Sequence, residues 1–166
     1  MAGVCLAFCM ILPFFTGQIP EIGNKLSPMH IPVLICGFLC GFPYALAIGF
    51  IAPVLRFFLF GMPPIMPIGL AMAFEMAAYG ACASILYRKL PKKTINLYLT
   101  LIVAMIVGRI VWGLASFVLY SIQGNAFTFQ LFLAGSIINA IPGIICHILI
   151  IPPIVMVLKK AGLVSS

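Results

Sequence analysis

The sequence predicts an all-α integral membrane protein, on three observations. The 166 residues are 64% hydrophobic and only 7% charged. Mean hydropathy is +1.29, more apolar surface than a soluble domain of this size can bury. The apolar residues fall in long runs cut by proline, glycine and basic residues, as spans and short connections do. At roughly 20 residues per span plus short loops, the length suits one transmembrane domain, 1–166, of about six helices.

The first helix is predicted over 1–15. It has no charged lead-in and no A-x-A site, so it does not read as a cleaved signal. Loop 16–27, TGQIPEIGNKLS, is polar and punctuated by Pro and Gly. The second helix, 28–41, begins PMHIP and is too short to span alone; an oblique or half-buried course is expected. A tight turn at Gly41-Phe42-Pro43 leads to the third helix, 43–60. GMPPIMP, 61–67, is too rich in proline to be helical throughout. The fourth helix follows at 66–88, and RKLPKK, 88–93, breaks the chain. The fifth runs over 96–122. After QGNAFTFQ, 123–130, the sixth covers 131–158, with a kink or interruption expected at Pro142 and at Pro152-Pro153.

The net charge of +7 sits mostly in two short clusters beside spans, Arg88, Lys89, Lys92 and Lys93, then Lys159 and Lys160. That is the pattern of topology determinants rather than of a nucleic-acid surface. With an even number of spans both clusters face one side, the cytoplasm by the positive-inside rule. Loops 16–27, 61–67 and 123–130 then face outward, as a cup with a lid. Small-xxx-small patterns at Gly3/Ala7, Gly37/Gly41/Ala45/Gly49 and Ala73/Ala77/Ala81 mark close helix contacts.

Asp is absent, and Glu75 in AMAFEMAAYG (71–80) is one of only two acids. An ionisable group inside a span faces a partner or a cavity. At 1.5 Å per residue, Glu75 lies roughly 14 Å below the outer end of its helix, Arg109 roughly 20 Å, Ser116 roughly 9 Å and Asn139 roughly 12 Å. Arg109, Trp112, Ser116 and Tyr120 share one face of the fifth helix. Glu75 and Tyr79 share a face of the fourth, and Ser136, Asn139 and Gly143 a face of the sixth. Three such stripes under polar loops can build a pocket for a small polar molecule.

Each residue has a plainer role to set beside that one. Glu75 can pair with Arg109 and simply lock the bundle. Arg56 can snorkel to headgroups as readily as line a pocket. Trp112 and Tyr120 can be packing or interfacial aromatics. His30 reads as a polar tip at the mouth, and His147 as a hydrogen-bonded core histidine. The six cysteines lie in apolar runs and read as small buried residues. Cys5/Cys9 and Cys36/Cys40 are i,i+4 pairs without a coherent metal ligand set, so neither metal nor cofactor is expected. There is no G-x4-G-K-[ST], so ATP is not bound through a P-loop and any active import would draw its energy from another subunit; with no H-E-x-x-H and no G-x-S-x-G, nothing calls for an enzyme. A small intramembrane enzyme and a purely structural membrane subunit are the rival classes.

Several segments together resemble the substrate-binding S component of energy-coupling factor (ECF) transporters, vitamin importers of bacteria and archaea. They are LPFFTGQIPEIG (12–23), LSPMHIPVLICGFLCG (26–41), the Arg of FIAPVLRFFLFGMPP (50–64), AMAFEMAAYG (71–80), GRIVWG (108–113) and NAIPGI (139–144). The resemblance implies a six-helix bundle with both termini cytoplasmic, in the cell membrane of a prokaryote. It implies a vitamin bound in the outer half between the later helices. It implies a membrane T subunit and two ATPases as partners, with Gly3 and Ala7 on the docking face of the first helix. The chain departs from that pattern in starting almost inside its first helix, without a basic lead-in.

The expected substrate contacts are Glu75, Tyr79, Arg109, Trp112, Ser116, Asn139, Arg56 and His30. Arg56, Arg109 and Glu75 together sum to +1, which favours an anion such as pantothenate, since a carboxylate pairs with Arg in a bidentate way. If Glu75 neutralises Arg109, a pyridoxine- or hydroxymethylpyrimidine-like ring stacked on Trp112 fits as well. A cation such as thiamine ranks last.

Overall fold

The stretch LAMAFEMAAYGACASILYRK has no proline and one β-branched residue, and it builds the helix around which the others are arranged. The computed structural model describes residues 1–15, 25 and 27–163. Its regular structure is helical throughout these residues: α1 Ala2–Phe15, α2 His30–Leu39, α3 Phe42–Phe60, α4 Leu70–Lys89, α5 Thr94–Ile122, α6 Phe129–Leu133 and α7 Ile141–Lys160. A kinked segment, Ile65–Gly69, leads into α4, and a π-helical turn, Ala134–Ile138, leads out of α6. Four stretches are long and apolar enough to cross a membrane: Phe42–Phe60, Ile65–Lys89, Thr94–Ile122 and Phe129–Lys160. Most of the loop expected over 16–27 lies outside the described residues.

The second helix is neither lipid-facing nor half-exposed. Eight of its ten residues are buried, so it is a core element. Missing side chains let its neighbours approach α4. A Cβ on Gly37 would lie 2.8 Å from the Gly80 carbonyl, and one on Gly49 would lie 2.5 Å from that of Met76. A Cβ on Gly80 would meet the Ala45 carbonyl at 2.8 Å. The small-xxx-small patterns of α2 and α3 are therefore spent on α4. α4 packs closely along α3 and α5, whereas α5 and α7 touch sparsely.

α1 buries Cys5, Cys9 and Pro13 and leaves Gly3 and Ala7 exposed. The Cys5 thiol lies against those of Cys36 and Cys40, and Cys9 Sγ donates to the Met29 carbonyl at 3.7 Å. Among the described residues no three His, Cys, Asp or Glu side chains are grouped so as to hold a metal ion.

The sixth predicted helix is interrupted just before Pro142 rather than kinked at it. The π turn ends at Ile138, a turn follows at Asn139–Ala140, and α7 starts at Ile141. Pro142 sits in its first turn, where a missing N–H leaves no hydrogen bond unmade. Pro152 and Pro153 remain inside α7. The fourth predicted helix becomes regular only at Leu70, because Met66, between two prolines, is extended at φ −119°, ψ 134°.

The two basic clusters meet at one end. Lys159 Nζ donates to the Lys92 carbonyl at 2.9 Å. The Arg88 guanidinium lies over Gly41, where a Cβ would come within 2.6 Å of Nη2. Gly41 has φ +96°, a conformation that favours glycine, and this rather than the movable Arg88 side chain is why the turn needs it.

Candidate functional site

Glu75 is 2% exposed and is met from two sides. Arg109 Nη1 of α5 lies 3.0 Å from Oε1, and His30 Nε2, at the start of α2, lies 3.6 Å from Oε2. Tyr79, one turn along α4, is fully buried and meets the His30 ring edge-on at 5.1 Å. Its ring fits because α5 carries Gly108 there; a Cβ would lie 2.7 Å from it. His147 of α7 completes the group, its ring 6.1 Å from that of His30. The Ser27 carbonyl ties the parts together. It accepts from the His30 backbone N–H at 3.0 Å and faces His147 Nε2 at 3.3 Å. Ser27 holds φ +46°, an uncommon conformation for a residue other than glycine.

This cluster is short of partners. Among the described residues, both His30 ring nitrogens, Arg109 Nε and His147 Nδ1 are buried without a hydrogen bond, and Tyr79 OH lies beside Glu75 and Arg109 without a well-aligned one. Glu75 Oε1 has its ion pair but no well-aligned hydrogen bond. A buried polar group left in that state costs about 1–3 kcal/mol, so a concentration of them marks a place suited to water or a ligand.

Arg109 links the cluster to a cleft of about 470 Å³ between α5 and the Phe129–Lys160 segment. Ile102, Met105, Ile106, Phe132 and Ser136 line it with Arg109, which is its one charged wall residue. A second hollow, of about 410 Å³, lies among Ile110, Gly113, Phe117, Phe127, Thr128 and Phe132.

The other expected contacts lie apart from Glu75. Trp112 packs on Gly135, against the glycine's missing side chain, with Phe127 at 6.0 Å and Phe132 at 6.4 Å. Tyr120 continues that aromatic wall against Phe127 at 5.3 Å. Ser116 is buried on the same helix, and Ser136 Oγ donates to the Phe132 carbonyl.

Three expectations need correction. Asn139 is exposed, because the π turn carries an extra residue per turn and rotates it off the face continued by Gly143 and His147. His30 is not a tip at the mouth: it is 2% exposed, inside the core. Arg56 does not join the Glu75 cluster. Its Nη1 donates to the Met10 carbonyl at 2.9 Å, and its guanidinium lies between the rings of Phe14 and Phe60, at 5.4 and 5.2 Å. It ties the end of α1 to α3. Arg56→Met is therefore expected to lower the melting temperature in detergent while leaving ligand preference as it was. A changed ligand preference at unchanged stability would put Arg56 back in the site.

His147 was legible in principle. Gly143, His147, Ile151 and Val155 step by four and are all buried, so the stripe begun at Gly143 runs on through His147.

A helical, membrane-suited body with a buried polar cluster beside a cleft defines the class: a membrane protein built to hold a small molecule. The family model described as "ECF transporter, substrate-specific component" matches residues 1–155, and the chain belongs to that family. It is thus a substrate-binding transporter subunit and not an enzyme, of a kind that acts with T and ATPase subunits. No curated protein and no solved structure matches it.

Proposed function

We propose that this chain is the high-affinity substrate subunit of an ATP-driven importer for a small water-soluble vitamin, in the cytoplasmic membrane of a prokaryote. The observation that carries this is the Glu75 cluster, whose unpartnered buried atoms adjoin a cleft through Arg109. On this reading the chain is one six-helix domain with both termini and both basic clusters in the cytoplasm. Glu75, Arg109, His30 and Tyr79 form the floor of the site, and Trp112 and Ser116 the wall above it. Gly3 and Ala7 are the docking face for the T subunit. Their exposure supports this, since a Cβ on Gly3 would meet nothing within 4 Å and a partner helix could approach closely.

The case for pantothenate rests on a positive surplus that includes Arg56. With Arg56 engaged elsewhere, Glu75 and Arg109 cancel and the cluster has no net charge beyond its histidines. That balance favours an uncharged ring, pyridoxine- or hydroxymethylpyrimidine-like, over pantothenate, because an anion would add an unbalanced buried charge.

The test is to purify the chain in detergent without partners, denature it and identify any released small molecule by mass spectrometry, with Glu75→Gln alongside. A vitamin released by the wild type and absent from the variant is expected. Wild-type protein that is folded, releases nothing and binds no member of a vitamin panel would overturn the proposal.

A further inference from the structure

We propose that His147 reads the substrate: its Nδ1 accepts a hydrogen from an N–H or O–H of the bound molecule, so the substrate class is an uncharged ring bearing such a donor. This rests on the binding role proposed above and extends it to the chemistry selected.

The tautomer follows from the partner. His147 Nε2 faces the Ser27 carbonyl at 3.3 Å, and a carbonyl oxygen only accepts. Nε2 therefore carries the hydrogen, and in the uncharged ring Nδ1 is a bare acceptor. Nδ1 is buried and has no hydrogen-bond partner among the described residues. The side chain as a whole is 2% exposed, so bulk water does not supply a donor.

His30 stands beside it, its ring 6.1 Å away and within 29° of parallel. Its Nε2 is 3.6 Å from Glu75 Oε2, too far for a hydrogen bond, so among the described residues neither His30 nitrogen has a partner that fixes its tautomer. Arg109 Nε–H is unpartnered among them too, so the cluster offers a donor as well as the His147 acceptor. A ligand that only accepts would leave His147 Nδ1 unmatched, and a site built on such a bond rejects the analogue that cannot make it.

A purely structural His147, tying α7 to Ser27, is the alternative, and two substitutions separate the roles. His147→Gln keeps an N–H near the position of Nε2 and removes the Nδ1 acceptor. His147→Asn keeps a polar group near Nδ1 and loses the reach to Ser27.

The experiment measures binding to the whole chain in detergent, with melting temperature recorded for each variant. The probes are pyridoxine against 4-deoxypyridoxine, and 4-amino-5-hydroxymethyl-2-methylpyrimidine against its counterpart with methyl in place of the amino group. The expected result is that the wild type prefers, by at least about tenfold, a probe over the counterpart from which that one O–H or amino donor has been removed. His147→Gln then melts like the wild type and loses that preference. If the wild type shows the preference and His147→Gln retains it, the role of His147 is overturned while the binding subunit stands. If the wild type binds pantothenate and neither ring, the substrate class is overturned. If it binds no probe and no vitamin at all, the binding role itself falls.

Discussion

Arg109→Ala is expected to be among the most damaging single substitutions in the core, and the double variant Arg109→Ala with Glu75→Gln to be less damaging than Arg109→Ala alone. The reason is the asymmetry of buried ion pairs. Forming one gains little net, but removing one partner strands the other charge, at about 3–5 kcal/mol. Glu75 is 2% exposed and Arg109 16%, so the effect belongs at the lower end, about 3 kcal/mol, or roughly two decades in an equilibrium constant. Among the described residues, no lysine and no other arginine forms an ion pair with the carboxylate. His30, at 3.6 Å, is the nearest other group that could become cationic. A double-mutant cycle read by thermal unfolding in detergent checks this. If the two single losses simply add in the double variant, the pair is not coupled as its 3.0 Å contact requires.

Gly49→Leu is expected to abolish folding, and Gly49→Ala already to cost about 1–3 kcal/mol or more. A Cβ there would meet the Met76 carbonyl oxygen at 2.5 Å and the Ala77 nitrogen at 2.6 Å. Both are backbone atoms of α4, which cannot rotate aside as a side chain can. The helices would have to separate along one of the two seams where α4 packs most closely. Gly3→Ala is the matched comparison, since its Cβ would enter open space. It should melt like the wild type, apart from a small helix-propensity gain. Equal effects at the two glycines would refute the close α3–α4 approach.

The parts legible in the sequence were those set by local chemistry. Apolar runs and the Pro/Gly breaks between them located the long helices, and one carboxylate among apolar residues singled out Glu75. Depth along two helices was enough to match it to Arg109. What escaped depended on phase and on tertiary packing. Asn139 was placed by continuing an α-helical period through Ala134–Ile138, where the backbone takes a π turn and the period changes. His30 begins a helix whose burial comes from its position among α1, α3, α4 and α7, which its own ten residues do not specify. Neither headgroup snorkelling nor a pocket role fits Arg56, because its partners, a carbonyl of α1 and two rings, belong to a helix pairing no motif announces.

The cancellation of Glu75 against Arg109 has an electrical consequence. Moving one elementary charge across the membrane costs or yields about 2.3 kcal/mol per 100 mV. The pair of opposite ions 3.0 Å apart carries no net charge through the field, so the fixed charge that a shift or tilt of this interior would move is that of Arg56, buried between Phe14 and Phe60. With an uncharged cargo, the membrane potential then acts on such a movement through Arg56 and not through the Glu75–Arg109 pair.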